Sequence, residues 1–145
     1  MRPRLLAILS LCCFPLLLGC GKRGPEIVPV SGVVTLDDKP VQGAGVMFLP
    51  LTGGRPAEGT TDEVGKFTLT TEKPGDGAME GDYEVAVIGV RTVGAIANPD
   101  GTSGDISRVR QEWFLPKKYA KRETSGLQQT VSKDMPPIDL KLSAR

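Results

Sequence analysis

No histidine occurs among the 145 residues. Its absence excludes Ser-His-Asp and Cys-His catalysis, together with every zinc site built on imidazole. Cysteine is confined to Cys12, Cys13 and Cys20. Beyond residue 20 no internal disulfide can form, so stability there must come from a hydrophobic core. An excess of charge is lacking too, with 18 Lys and Arg against 17 Asp and Glu. Arg2 and Arg4 precede an apolar run at the start of the chain, and 18 less these two leaves 16 against 17. Nucleic-acid binding normally shows as a basic excess or stripe, so that class is set aside. No apolar run reaches the roughly 20 residues that a spanning helix needs. The longest, Leu5 to Leu18, also contains Pro15.

Glycine and proline are plentiful, at 18 and 12 residues. Glycine costs backbone entropy in a helix and interior proline breaks one, so a turn-rich all-β chain is expected. From Val28 onward apolar residues alternate over short runs bounded by Gly, Pro, Asp and Asn, the pattern of half-buried strands. Val28, Val30, Val34 and Leu36 share one face of a first strand before the turn Asp37-Asp38-Lys39-Pro40. A second strand covers 45–49 and a polar, edge-like one covers 57–61. Phe67 and Leu69 mark a fourth. Tyr83, Val85 and Val87 mark a fifth, with Ala86, Ile88 and Val90 as a second apolar face; this strand is the expected centre of the core. Leu127 to Val131 and Ile138 to Leu142 complete seven strands, separated by Pro136-Pro137. Seven is a number typical of a two-sheet sandwich.

The N-terminal twenty residues have the layout of a secretory signal: two arginines, an apolar run, and a small residue before a cysteine. Leu17, Leu18, Gly19 and Cys20 resemble the bacterial lipobox. That resemblance implies cleavage before Cys20, fatty acyl chains on the cysteine, and a location in the bacterial cell envelope, on the outer membrane or facing the periplasm. Two or more chains hold a protein to a bilayer where one does so only marginally. The expected division is a signal peptide over 1–19, a lipidated tether over 20–27, and one domain over 28–145. Gly21 is not the aspartate associated with inner-membrane retention in some bacteria.

Two further stretches, Pro29 to Pro50 (PVSGVVTLDDKPVQGAGVMFLP) and Gly59 to Thr71 (GTTDEVGKFTLTT), resemble carboxypeptidase regulatory-like domains. GDYEVAV from Gly81 continues the likeness. It implies a transthyretin/prealbumin-like (Ig-like) fold: an antiparallel, seven-stranded, Greek-key sandwich. In that family's peptidases the domain is an accessory, and the catalytic partner has no counterpart here. Asp38 stands where the family's turn more often has glycine.

Asp62 and Glu63 in TDEVGK are too few for a calcium site, which takes six to eight oxygens. An Asx turn with Gly65 at positive φ explains them instead. Asp76, Glu80 and Asp82 are read as a solvated loop. No metal or cofactor is expected. Residues 91–112 read as a long, weakly periodic loop, the kind of segment that carries binding. Near its end Arg108, Arg110, Trp113 and Phe114, followed by Lys117, Lys118, Lys121 and Arg122, form an aromatic and basic cluster. Such a cluster suits contact with an envelope protein, a headgroup or a polysaccharide. The alternative is that Trp113 and Phe114 cap the core while the lysines are solvated. The expected function is therefore a non-catalytic structural or binding module. Its rivals are a carboxylate-dependent hydrolase of envelope glycan and a subunit that docks by edge-strand pairing.

Overall fold

Alternating side chains turn about half of the described residues, 26–94 and 109–145 of the computed structural model, into strands. Each of the seven expected runs contains one, β2 (Ser31–Leu36), β4 (Gly45–Pro50), β5 (Ala57–Thr60), β6 (Lys66–Thr68), β8 (Gly81–Ile88), β11 (Leu127–Val131) and β12 (Ile138–Leu142), although the first run is broken at 29–30, which leaves Val28 in a separate strand, and Val90 lies beyond the end of β8. Between them lie short pieces that alternation does not announce. These are β1 (Ile27–Val28), which pairs with β7 (Ala78–Met79), and β3 (Lys39–Pro40), which folds back on β2. A 3-10 turn (Lys117–Ala120) and the single helical turn α1 (Arg122–Ser125) complete the set.

The fold is all-β, with two main sheets facing each other across one core. In one sheet the order is β11-β8-β4-β5. In the other, β12 flanks β2 on one side, and β3 and β6 follow one another along its opposite side. Phe48 of β4 lies 6.4 Å from Phe67 of β6 and 5.7 Å from Tyr83 of β8, so aromatic rings from both sheets meet in the middle. Val34, Val46, Leu69, Val85 and Val87 are fully buried around them. At about 1.5–3 kcal/mol for each large apolar side chain buried, this inward face dominates the stability. As expected, β8 is the centre, with β11 and β4 on its two sides. Along the opposite edge β5 is joined to the chain after β6: the Glu58 N–H donates to the Thr70 carbonyl (2.9 Å) and the Thr70 N–H to the Glu58 carbonyl (2.8 Å).

Two expectations are corrected. The arrangement is not wholly antiparallel, because β12 runs parallel to β2, from Ile138 opposite Gly32 to Leu142 opposite Leu36. The cause is the shortness of the preceding connection. β11 ends opposite Gly81, at the end of the molecule where β2 begins, and residues 132–137 only carry the chain across to the other sheet. A strand starting there must run the way β2 runs. Nor are residues 91–112 a loop throughout. Their described ends form an antiparallel hairpin, β9 (Val90–Val93) with β10 (Arg110–Trp113), in register from Val93 opposite Arg110 to Val90 opposite Trp113. Neither strand buries a face in the core, so neither carries the alternation by which strands are recognised.

The turn Asp37-Asp38, where the family more often has glycine, is a tight two-residue connection between Leu36 and its partner Lys39. Both aspartates have positive φ, 48° and 64°, as a primed hairpin turn requires. Aspartate tolerates this region better than most residues, which is how it stands in for glycine.

Candidate functional site

The β9–β10 hairpin is rooted on β8. The Gly89 carbonyl accepts the N–H groups of Phe114 (3.0 Å) and Leu115 (3.4 Å), and Leu115 is buried against Gly89 itself. A Cβ at Gly89 would lie 2.4 Å from the Leu115 Cγ, so only a hydrogen fits there. Successive strand residues face opposite ways, and this separates the two aromatics. Phe114 packs partly buried against the core, whereas Trp113 is 40% exposed. The core-capping alternative therefore holds for Phe114 and fails for Trp113.

The same pleat separates Arg110 from Trp113. Arg110 shares its face with Glu112, which pairs with Arg91 across the hairpin at 3.0 Å in an exposed ion pair of the kind worth about 0–1 kcal/mol. The cation that does meet the indole is Lys117, with Nζ 5.4 Å from the ring centroid. The remaining basic residues are dispersed. Lys118 lies over Tyr119 and bonds the Arg145 carbonyl, while Arg122 pairs with Glu84 on β8. The expected basic cluster thus reduces to Trp113 with Lys117. Arg108 lies outside the described residues, as do Leu17, Leu18, Gly19 and Cys20.

Beside the hairpin the outward face of the β8 sheet forms an open trough of about 610 Å³. Met47, Ile88 and Val90 supply its apolar side, and Glu58, Thr60 and Thr68 its polar side. Val90 is directly opposite Trp113, and paired residues in an antiparallel ladder share a face, so the indole continues the line of the trough. Sequence reading marked the outward apolar residues Ile88 and Val90 but not the trough. That needs Glu58, Thr60 and Thr68 brought beside them from other strands.

The acidic residues have structural work. Asp62 Oδ1 accepts the N–H groups of Val64 (3.0 Å) and Lys66 (2.8 Å), and Gly65 has φ 76°, so the Asx turn is as expected. Asp76 accepts those of Thr71 (2.7 Å), Lys73 (2.9 Å) and Glu72 (3.0 Å). Above all the Thr71 N–H, and then those of Lys73 and Glu72, hold the Asp76 carboxyl below its ordinary value, against a desolvation cost that raises it. Asp82 accepts the Thr130 hydroxyl and Glu80 the Lys133 N–H. Burial raises the Tyr83 pKa, and its hydroxyl donates to the Met79 carbonyl at 2.9 Å. Among the described residues no three His, Cys, Asp or Glu side chains gather as metal ligands, and no helix is long and apolar enough to cross a membrane.

No family model, curated protein or solved structure matches the chain.

Proposed function

We propose that this chain is a non-catalytic lipoprotein of the bacterial envelope, anchored through acyl chains on Cys20, whose domain is a binding module. We also assign the domain to the seven-stranded, Greek-key, transthyretin-like class of carboxypeptidase regulatory-like domains, with β12 as a parallel departure from its pattern. The observation that carries the binding role is the half-exposed Trp113 in line with an open trough, on a face the core does not use. The hydrolase reading lacks a comparable basis. Among the described residues Glu58 is the only carboxylate lining the trough, whereas glycoside hydrolysis takes a pair.

The placement of the chain's entry favours the tethered arrangement. The Glu26 carbonyl accepts the Glu80 N–H at 3.0 Å, beside the start of β8, and the hairpin springs from the far end of that strand. Eight strand residues span about 27 Å, so a tether at the entry end carries the hairpin end away from the bilayer. The test is mass spectrometry of the mature N-terminus with envelope fractionation of the parent and Cys20→Ser. Acylated Cys20 as the first residue, with the serine variant released from membranes, is the expected result. An unmodified Cys20 in soluble material refutes the anchor. Turnover in a broad hydrolase screen that is abolished by Glu58→Gln refutes the non-catalytic role.

A further inference from the structure

We infer that the trough is a saccharide site: a neutral, hydroxyl-rich chain lies across β5, β4 and β8, beside Thr68, with one ring stacked on Trp113. The inference rests on the binding-module reading of this face and names its ligand class. Three strands at about 4.8 Å spacing make a floor about 10 Å across, which Thr68 flanks on one side and Val90 and Trp113 extend on the other. Along it the Met47, Ile88 and Val90 side chains give apolar surface, while the Thr60 and Thr68 hydroxyls and the Glu58 carboxylate give donors and acceptors. Such alternation matches a sugar ring, whose C–H faces are apolar and whose rim is all hydroxyl. Polar and apolar groups share the lining about equally, which suits a ligand that is itself both, and a half-exposed indole supplies a rigid apolar plate at low entropy cost.

Other ligand classes fit less well for specific reasons. A peptide strand binds by adding to an open edge, but this floor is already paired. β4 is bonded on both sides, and the outer side of β5 is bridged at Glu58 by two hydrogen bonds to Thr70. An anionic polymer would meet Glu58 in the floor, and among the described residues no Lys or Arg lines the trough. Hydrocarbon would strip water from Glu58, Thr60 and Thr68 without replacing their hydrogen bonds.

Trp113 is the only tryptophan in the chain, so its fluorescence reports the site directly. The full-length lipidated chain, in a detergent without sugar headgroups, is titrated with neutral hexasaccharides of glucose, xylose, mannose and N-acetylglucosamine. Polygalacturonate and an extended decapeptide serve as controls. The expected result is a saturable shift with at least one neutral hexasaccharide. By calorimetry, Trp113→Ala and Glu58→Gln each weaken that binding about tenfold. Both side chains are exposed, so thermal unfolding checks that the variants remain folded. The saccharide assignment is overturned if no neutral hexasaccharide binds at millimolar concentration, or if both variants bind like the parent. A shift seen only with polygalacturonate or the peptide also overturns it, yet leaves the binding-module reading standing. Turnover of a hexasaccharide removes that reading as well.

Discussion

Substituting Gly89→Ala tests the junction on which the core and the hairpin both depend. The new Cβ would stand 2.4, 2.6 and 2.7 Å from Cγ, Cβ and Cδ1 of Leu115. Carbon atoms rest about 3.5–4.0 Å apart, so a gap of about 1 Å must open between β8 and the chain after β10. Leu115 is only 4% exposed and has little room to yield. Overpacking of this kind costs about 1–3 kcal/mol. Leu115→Ala alone leaves a cavity and should cost about 2–5 kcal/mol. The double variant removes the Cγ and Cδ1 clashes but keeps the one at Cβ, so relief is partial, and it should be about 1 kcal/mol more stable than the sum of the singles. Urea unfolding followed by circular dichroism measures all three variants. For a domain of this size each kcal/mol also moves Tm by about 3–5 °C. Since Leu115 lies two residues from Trp113, the fluorescence of Gly89→Ala should shift even while it is folded. The reasoning fails if Gly89→Ala lies within about 0.5 kcal/mol of the parent, or if the two losses simply add.

Two further outcomes test local chemistry. Because the folded pKa of Asp76 is held below its ordinary 3.8, the stability it contributes is complete above that value and is lost as pH falls through the folded pKa. Asp76→Asn, with one acceptor oxygen where three N–H groups need two, should lower Tm at pH 7, and the deficit should narrow on acidification below about pH 4; a constant deficit would remove the carboxylate from the explanation. Asp38→Gly frees the left-handed second residue of the β2–β3 turn from Cβ strain, offset by the entropy of a freer unfolded chain, for a net gain of about 0.5 kcal/mol in urea unfolding; a clear loss would mean that the Asp38 carboxyl itself supports the turn.

What the sequence made legible follows one physical rule. Wherever a strand buries one face, alternation records it, as in Tyr83, Val85 and Val87 or in Ile138, Leu140 and Leu142. Local turn chemistry is equally open to reading, because Asp62 and Gly65 act on their own neighbours. Direction is not recorded, since an alternating strand reads the same whether it joins the sheet parallel or antiparallel. The β12 error came from that gap. The hairpin was missed for a related reason: RQEW is exposed along its whole length, and pairing without burial leaves no period. The expected cluster of Arg110, Trp113 and Phe114 failed because nearness in sequence is not nearness on a face, and the pleat sends neighbours apart.

The trough raises a question that core packing does not answer. On β8, Val85 and Val87 are fully buried and Tyr83 is 2% exposed, so their apolar character is accounted for by roughly 1.5–3 kcal/mol each from burial in the core. Ile88 and Val90 lie outside that core and remain partly exposed, as does Met47 across the ladder. Stability of the isolated domain gives little reason for three apolar side chains there, because a threonine would keep the strand propensity and leave less apolar surface in water. Trp113 is the sharper case, since an indole 40% exposed on a hairpin strand that buries nothing recovers little of the transfer free energy that burying so large a side chain would provide. These four residues come from four strands, and only the register of β4, β8, β9 and β10 sets them in one line. On the proposed binding role, a ligand lying on this surface would recover that free energy, and the hydroxyls and the carboxylate of Glu58 facing it across the trough would restrict which ligand fits.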